Sequence, residues 1–89
     1  MLRVTIESSN SEAVVLSVAG RIAAEDVVLL EEEGRCRFGE GRRWVLDLEG
    51  VRFIDQDGLD LLQRWVREGM VLRGGSLFVR ALLAEKGVG

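Results

Sequence analysis

Residues 44–59 read Trp44-Val45-Leu46-Asp47-Leu48-Glu49-Gly50-Val51-Arg52-Phe53-Ile54-Asp55-Gln56-Asp57-Gly58-Leu59. The first five are apolar on both faces except at Asp47, which predicts a strand in the middle of a sheet covered by helices. Gly50 to Asp55 then leads into a helix over 58–68, whose apolar stripe is Leu61, Leu62, Trp65 and Val66. Asp60, Gln63, Arg64 and Arg67 fall on its wet side. Asp57 stands just before the periodic run and suits an N-cap, worth about 1 kcal/mol. Asp60, three residues on, suits the acid of a capping box, and both carboxylates suit the positive end of the helix. Gly69 is placed to stop the helix.

The neighbouring segments extend this strand–helix unit in both directions. Leu2, Val4 and Ile6 alternate with Arg3, Thr5 and Glu7, and Ala13 to Ala19 is a second, valine-rich strand ended by Gly20. The polar run Ser8-Ser9-Asn10-Ser11 joins them as a hairpin. From Ala23 to Arg35 the period becomes helical, with Ala23, Val27, Leu30 and Gly34 on one stripe and Glu31, Glu32 and Glu33 on a solvated face. Gly39-Glu40-Gly41 reads as a loop. Downstream, Gly74-Gly75 makes a turn, Leu77-Phe78-Val79 a last strand and Ala81 to Lys86 the start of a third helix. The expected fold is α/β, in the order β-β-α-β-α-β-α: one domain over residues 1–89, with a mixed, mainly four-stranded sheet, helices packed on it and right-handed crossovers.

Composition removes most enzyme classes. With no histidine and one cysteine, Cys36, neither the usual zinc sets nor Ser-His-Asp and Cys-His machineries can be assembled, and an internal disulfide is excluded. Twelve basic against 15 acidic residues, a net charge of −3, argue against a nucleic-acid partner held by bulk charge. The local patch of Arg35, Arg37, Arg42 and Arg43, with Phe38 and Trp44, reads as a soluble loop face, and Cys36 as a small hydrophobe. Met1 to Glu7 is no signal peptide, and no apolar stretch approaches the ~20 residues of a membrane helix, so a cytoplasmic chain without membrane insertion is expected.

The acidic run Asp55-Gln56-Asp57-Gly58-Leu59-Asp60 is the densest chemical signal. Setting Gly58 on the central glycine of a calcium loop puts Phe53 and Arg64 on its first and last ligand positions, where neither can bind a cation. A receiver-type phosphoaspartate at Asp47 or Asp55 lacks a partner cation, because the chain's single lysine is Lys86, near its end. Gly39-Glu40-Gly41 precedes a strand and has Trp44 on the third glycine position, the wrong order for a dinucleotide loop. The expectation is therefore no catalytic residue, no metal and no cofactor.

The stretch 44–59 resembles the signature of STAS domains, the fold shared by anti-sigma factor antagonists and the cytoplasmic tails of sulfate transporters: a buried strand ending in Asp-Leu, a loop through Phe-Ile-Asp, then Gly-Leu opening a helix. Val18-Ala19-Gly20-Arg21-Ile22 and Gly74-Gly75-Ser76-Leu77 are similar to the family's strand-to-helix junction and later turn. The resemblance implies a STAS-like, non-enzymatic module of bacterial signal transduction and transcription regulation, whose protein partner is a kinase-like anti-sigma factor. Its contacts are expected from Phe53, Asp55, Gln56, Asp57, Asp60 and Arg64.

On that resemblance the family's phosphoacceptor Ser/Thr position is occupied by Asp57. A carboxylate offers no hydroxyl to a serine kinase. Its charge of −1 is smaller than the roughly −1.5 to −2 of a phosphate, so it would imitate the phosphorylated state weakly. Ala23 stands where many antagonists are acidic, and the chain ends soon after its third helix begins, shortened relative to the family. An edge or apolar face left open there would favour a homodimer. Two other roles fit the same family: an accessory STAS subunit of a membrane transport ATPase, and a small-ligand or nucleotide sensor.

Overall fold

The short polar link at Asn10 and the helical links further on dictate the strand directions, because hairpins join antiparallel strands and helical crossovers join parallel ones. The computed structural model describes residues 2–37 and 41–88. Strands β1 (Leu2–Ser9) and β2 (Ala13–Ile22) form the antiparallel hairpin. Its turn is held by the Asn10 side-chain oxygen, which accepts from the Glu12 and Ala13 N–H groups at 2.8 Å each. Helix α1 (Glu25–Arg37) leads to β3 (Arg43–Ile54), parallel to β2, and α2 (Gln56–Arg67) leads to β4 (Val71–Arg73), parallel to β3. Helix α3 (Leu77–Lys86) follows, and the sheet order is β1-β2-β3-β4. The β-β-α-β-α-β-α order and mixed four-stranded sheet are those expected. The loop expected at Gly39-Glu40, with Phe38 and the surroundings of Arg35, Cys36 and Arg37, lies outside the described residues.

Several boundaries differ, for identifiable reasons. Strand β2 runs through Gly20 (φ 102°) to Ile22, and β3 continues past Leu48 to Ile54. Their ladder pairs Ala19 with Gly50, Gly20 with Val51, Arg21 with Phe53 and Ile22 with Ile54. Twice β3 carries one more residue than β2, between Asp47 and Gly50 and between Val51 and Phe53. Such bulges break the period of two, which is why Val51 and Ile54 are both buried and why alternation is lost after Leu48.

The last strand is Val71–Arg73 and not Leu77–Val79, which forms the first turn of α3. Gly74 and Gly75 turn the chain at φ 72° and 105°, and the Ser76 hydroxyl then accepts from the Val79 N–H at 3.2 Å, capping a helix. That cap outweighs the strand propensity of Leu-Phe-Val. It leaves Leu77 and Phe78 89% and 54% exposed.

One core lies between the sheet and the helices. Val14, Leu16 and Val18 of β2 and Leu46 and Leu48 of β3 meet Val27 and Leu30 of α1, Leu61, Leu62 and Trp65 of α2, and Val79 and Leu83 of α3. Gly34 lets α1 approach α2 against the Trp65 indole. Val28 and Leu29 of α1 stay exposed, which weakens its apolar periodicity.

The opposite sheet face departs from the expected full helical cover: Ala13, Val15, Ser17 and Ala19 are only half-buried. There Asp47 is 8% exposed and receives Arg73 at 2.6 Å, Arg73 also pairs with Glu7 at 2.9 Å, and the Glu49 N–H donates to Asp47 at 2.9 Å. The Arg73 hydrogen bond, then that from Glu49, holds the Asp47 carboxyl below its ordinary 3.8 against an opposing desolvation effect. A depressed carboxylate pKa adds stability that is complete above the unfolded-state value and is lost as pH falls through the folded one. The urea midpoint should therefore hold steady from neutral pH to about pH 5 and drop below about pH 4. Asp47→Asn should cost about 1 kcal/mol at pH 7, solvent at Arg73 limiting the loss, and should flatten the acid limb. An acid limb identical in Asp47→Asn would remove Asp47 as its source.

Candidate functional site

The β3–α2 junction is built around Asp55. Its extended backbone (φ −87°, ψ −178°) makes it the N-cap of α2, with Oδ1 accepting from the Gly58 N–H at 2.8 Å. Oδ2 accepts from the Ala24 N–H at 2.9 Å, and the Asp55 N–H donates to the Ile22 carbonyl at 3.0 Å. One carboxylate thus ties the start of α2 to the turn between β2 and α1. Ala24 sits at φ 52°, the single left-handed non-glycine among the described residues, a conformation costing about 1–2 kcal/mol that the Asp55 bond helps to hold.

This corrects the expected cap. The helix starts at Gln56, two residues earlier than the apolar stripe suggests, so Asp55 caps it and Asp57 becomes its second residue. The capping-box position then falls on Gly58, which has no side chain to offer. Gly58 is there for another reason: a Cβ on it would lie 2.6 Å from the Ile22 carbonyl oxygen and 2.8 Å from the γ-methyls of Ile22 and Ile54.

The remaining expected site residues separate into two groups. Asp60 pairs with Lys86 of α3 at 2.7 Å and accepts from Gln56 Nε2 at 3.4 Å, and Arg64 pairs with Glu31 of α1 at 2.9 Å. These pairs brace α2 on both flanks. The Lys86 hydrogen bond is the main reason the Asp60 carboxyl is held below its ordinary value. Asp57, by contrast, is exposed and its carboxylate has no hydrogen-bond or ion-pair partner among the described residues.

Phe53, half-buried near the end of β3, stacks on Phe78 of α3 with ring centroids 6.3 Å apart and planes 21° apart. The Arg21 guanidinium lies 5.7 Å from the Phe53 ring centroid. The residue types of Leu77 and Phe78 suggest a strand, whereas both lie in the first turn of α3. The available signal was Ser76, an N-cap residue directly after two glycines. The junction therefore offers a free carboxylate on a fixed helix start and, from the adjoining strand end, an apolar pair edged by an arginine. Among the described residues the junction brings no paired acid and base to a common point.

Among the described residues no helix is long and apolar enough to cross a membrane. No curated protein matches the chain. Among solved structures it is similar to the anti-sigma factor antagonist SpoIIAA in its unphosphorylated form, with a TM-score of 0.70 over 92% of this chain and 82% of that one. The identity is 19%, so this likeness speaks to the fold. The family model described as "Mlab, STAS domain" matches residues 6–89, nearly the whole chain. The strand, the capped junction and the helix described above all lie within these matched residues, and the chain is a member of the STAS-domain family.

Proposed function

We propose that this chain is a cytoplasmic, non-enzymatic protein-interaction module of the anti-sigma-factor-antagonist type. It binds a kinase-like anti-sigma factor through the surface around the start of α2, with Asp57 in the place of the phosphoacceptor. The observation that carries the reading is the contrast between Asp57 and its neighbours: Asp55, Asp60 and Arg64 are engaged within the fold, while the Asp57 carboxylate faces solvent on a helix start that is fixed from below. Phe53, Phe78 and Leu77 supply apolar area, and Gln56 and Arg21 a polar rim, the mixed character of a non-obligate interface. A permanent carboxylate gives a constant, weak form of the charge that phosphorylation would switch.

The test is capture from source-cell lysate with the wild type and Asp57→Ser, followed by phosphate transfer from ATP. Recovery of a kinase-like anti-sigma factor, with Asp57→Ser phosphorylated and then captured less, supports the reading. Unphosphorylated Asp57→Ser with unchanged capture of that factor would move the contact away from Asp57. A second reading, an accessory subunit of a membrane transport ATPase, is favoured by the lack of any hydroxyl in the first turn Gln56-Asp57-Gly58. Transport-ATPase subunits recovered with both forms would establish it over the first.

A further inference from the structure

Among the described residues, strand β1 lies at the edge of the sheet with β2 as its single neighbour, so one side of its backbone is unpaired over eight residues. Natural edges are usually blunted by proline, lysine or a bulge. This chain has no proline, β1 has no lysine, and its bulge comes late, between Ile6 and Ser8. From Leu2 to Ile6 the side chains of β1 alternate between the two faces. Leu2, Val4 and Ile6 pair with Gly20, Val18 and Leu16 on the helix side, yet Ile6 remains 46% exposed. Arg3 and Thr5 pair with Ala19 and Ser17 on the open side, where Glu7 also reaches Arg73.

We propose that this edge pairs with the same edge of a second copy, antiparallel, about a two-fold axis through Thr5, joining two four-stranded sheets into one of eight. The argument is self-complementarity. With Thr5 opposite Thr5, Arg3 faces Glu7 twice on the open side and Val4 faces Ile6 twice on the helix side. Arg3 and Glu7 are the only charged residues of β1, and no other antiparallel register sets them opposite one another. Directly opposed charges stabilise a strand pair and like charges destabilise it. Covering Ile6 extends the core across the axis, and such a repeated contact is what a closed two-fold interface requires. Glu7 binds Arg73 through one carboxylate oxygen, which leaves the other for Arg3 of the second copy. A strand pair of this length buries less than a standard interface, so the dimer is concentration-dependent. The β1 edge is separate from the α2 surface and does not rest on the function proposed for it.

The experiment is sedimentation velocity from micromolar to millimolar protein, on the wild type, Arg3→Glu, Glu7→Arg and a one-to-one mixture of the two variants. The wild-type mass should rise from 9.9 kDa toward twice that value. Each variant alone sets like charges across the axis twice and should dimerise at least tenfold more weakly. In the mixture one chain carries two acidic and the other two basic residues at these positions, so dimerisation should return. Both positions are exposed, and Arg73 keeps Asp47 when Glu7 is replaced. A wild type that stays at 9.9 kDa throughout, single variants that dimerise as well as the wild type, or a mixture that stays monomeric would each overturn the proposal.

Discussion

Gly58→Val should be the most damaging substitution at the junction, lowering stability by about 3 kcal/mol or more. A Cβ at residue 58 would lie 2.6 Å from the Ile22 carbonyl oxygen, a backbone atom at the end of β2 that has no rotamer by which to move aside. The helix cannot retreat either, since the Gly58 N–H is held at 2.8 Å by Asp55, which also holds Ala24. A domain of this length has roughly 4–13 kcal/mol in total, so the loss is a large share of it. Gly58→Ala gives the sharper reading, because in an open helix alanine would be favoured over glycine by about 1 kcal/mol. Urea denaturation should nevertheless place the midpoint of Gly58→Ala below that of the wild type. A midpoint equal to or above the wild type would mean that α2 can shift away from β2 and that the close approach is not a constraint.

Trp65→Ala should cost about 3–5 kcal/mol, on the order of 20 °C in Tm, by leaving a cavity between α1 and α2. The facing residue on α1 is Gly34, which has no side chain to fill the space. The two positions are therefore coupled. Gly34→Ala alone should destabilise, because its Cβ would overlap the Trp65 indole. In the Trp65→Ala background the same change meets no indole and should be neutral or stabilising, since alanine is the better helix former. A double-mutant cycle by thermal unfolding checks this. Additive effects would show that the helices already repack freely at this contact.

The surface at the β3–α2 junction was only partly legible in the sequence. The run Asp55 to Asp60 stands out as acidic, but its members differ in ways no spacing reveals. Asp55 is held by backbone N–H groups from two separate segments, one of them Ala24, which is 31 residues away. Asp60 and Arg64 reach partners on α3 and α1, and Asp57 reaches none among the described residues. Which carboxylate is left exposed depends on where α2 begins and on which helices flank it. Neither is a local property.

The sequence by itself determined the class, the order of elements and most of the core. Alternation in Leu2–Glu7, the apolar runs Ala13–Ala19 and Trp44–Leu48 and the stripe of Leu61, Leu62 and Trp65 are patterns long enough to identify strand or helix. The tertiary structure alone decided the bulged extension of β3 to Ile54 and the three-residue strand Val71–Arg73. It also decided the pairing of Asp47 with Arg73 across the open sheet face. Each of these depends on a neighbour distant in the chain or on a segment too short to carry a period, and in such places packing overrides local preference.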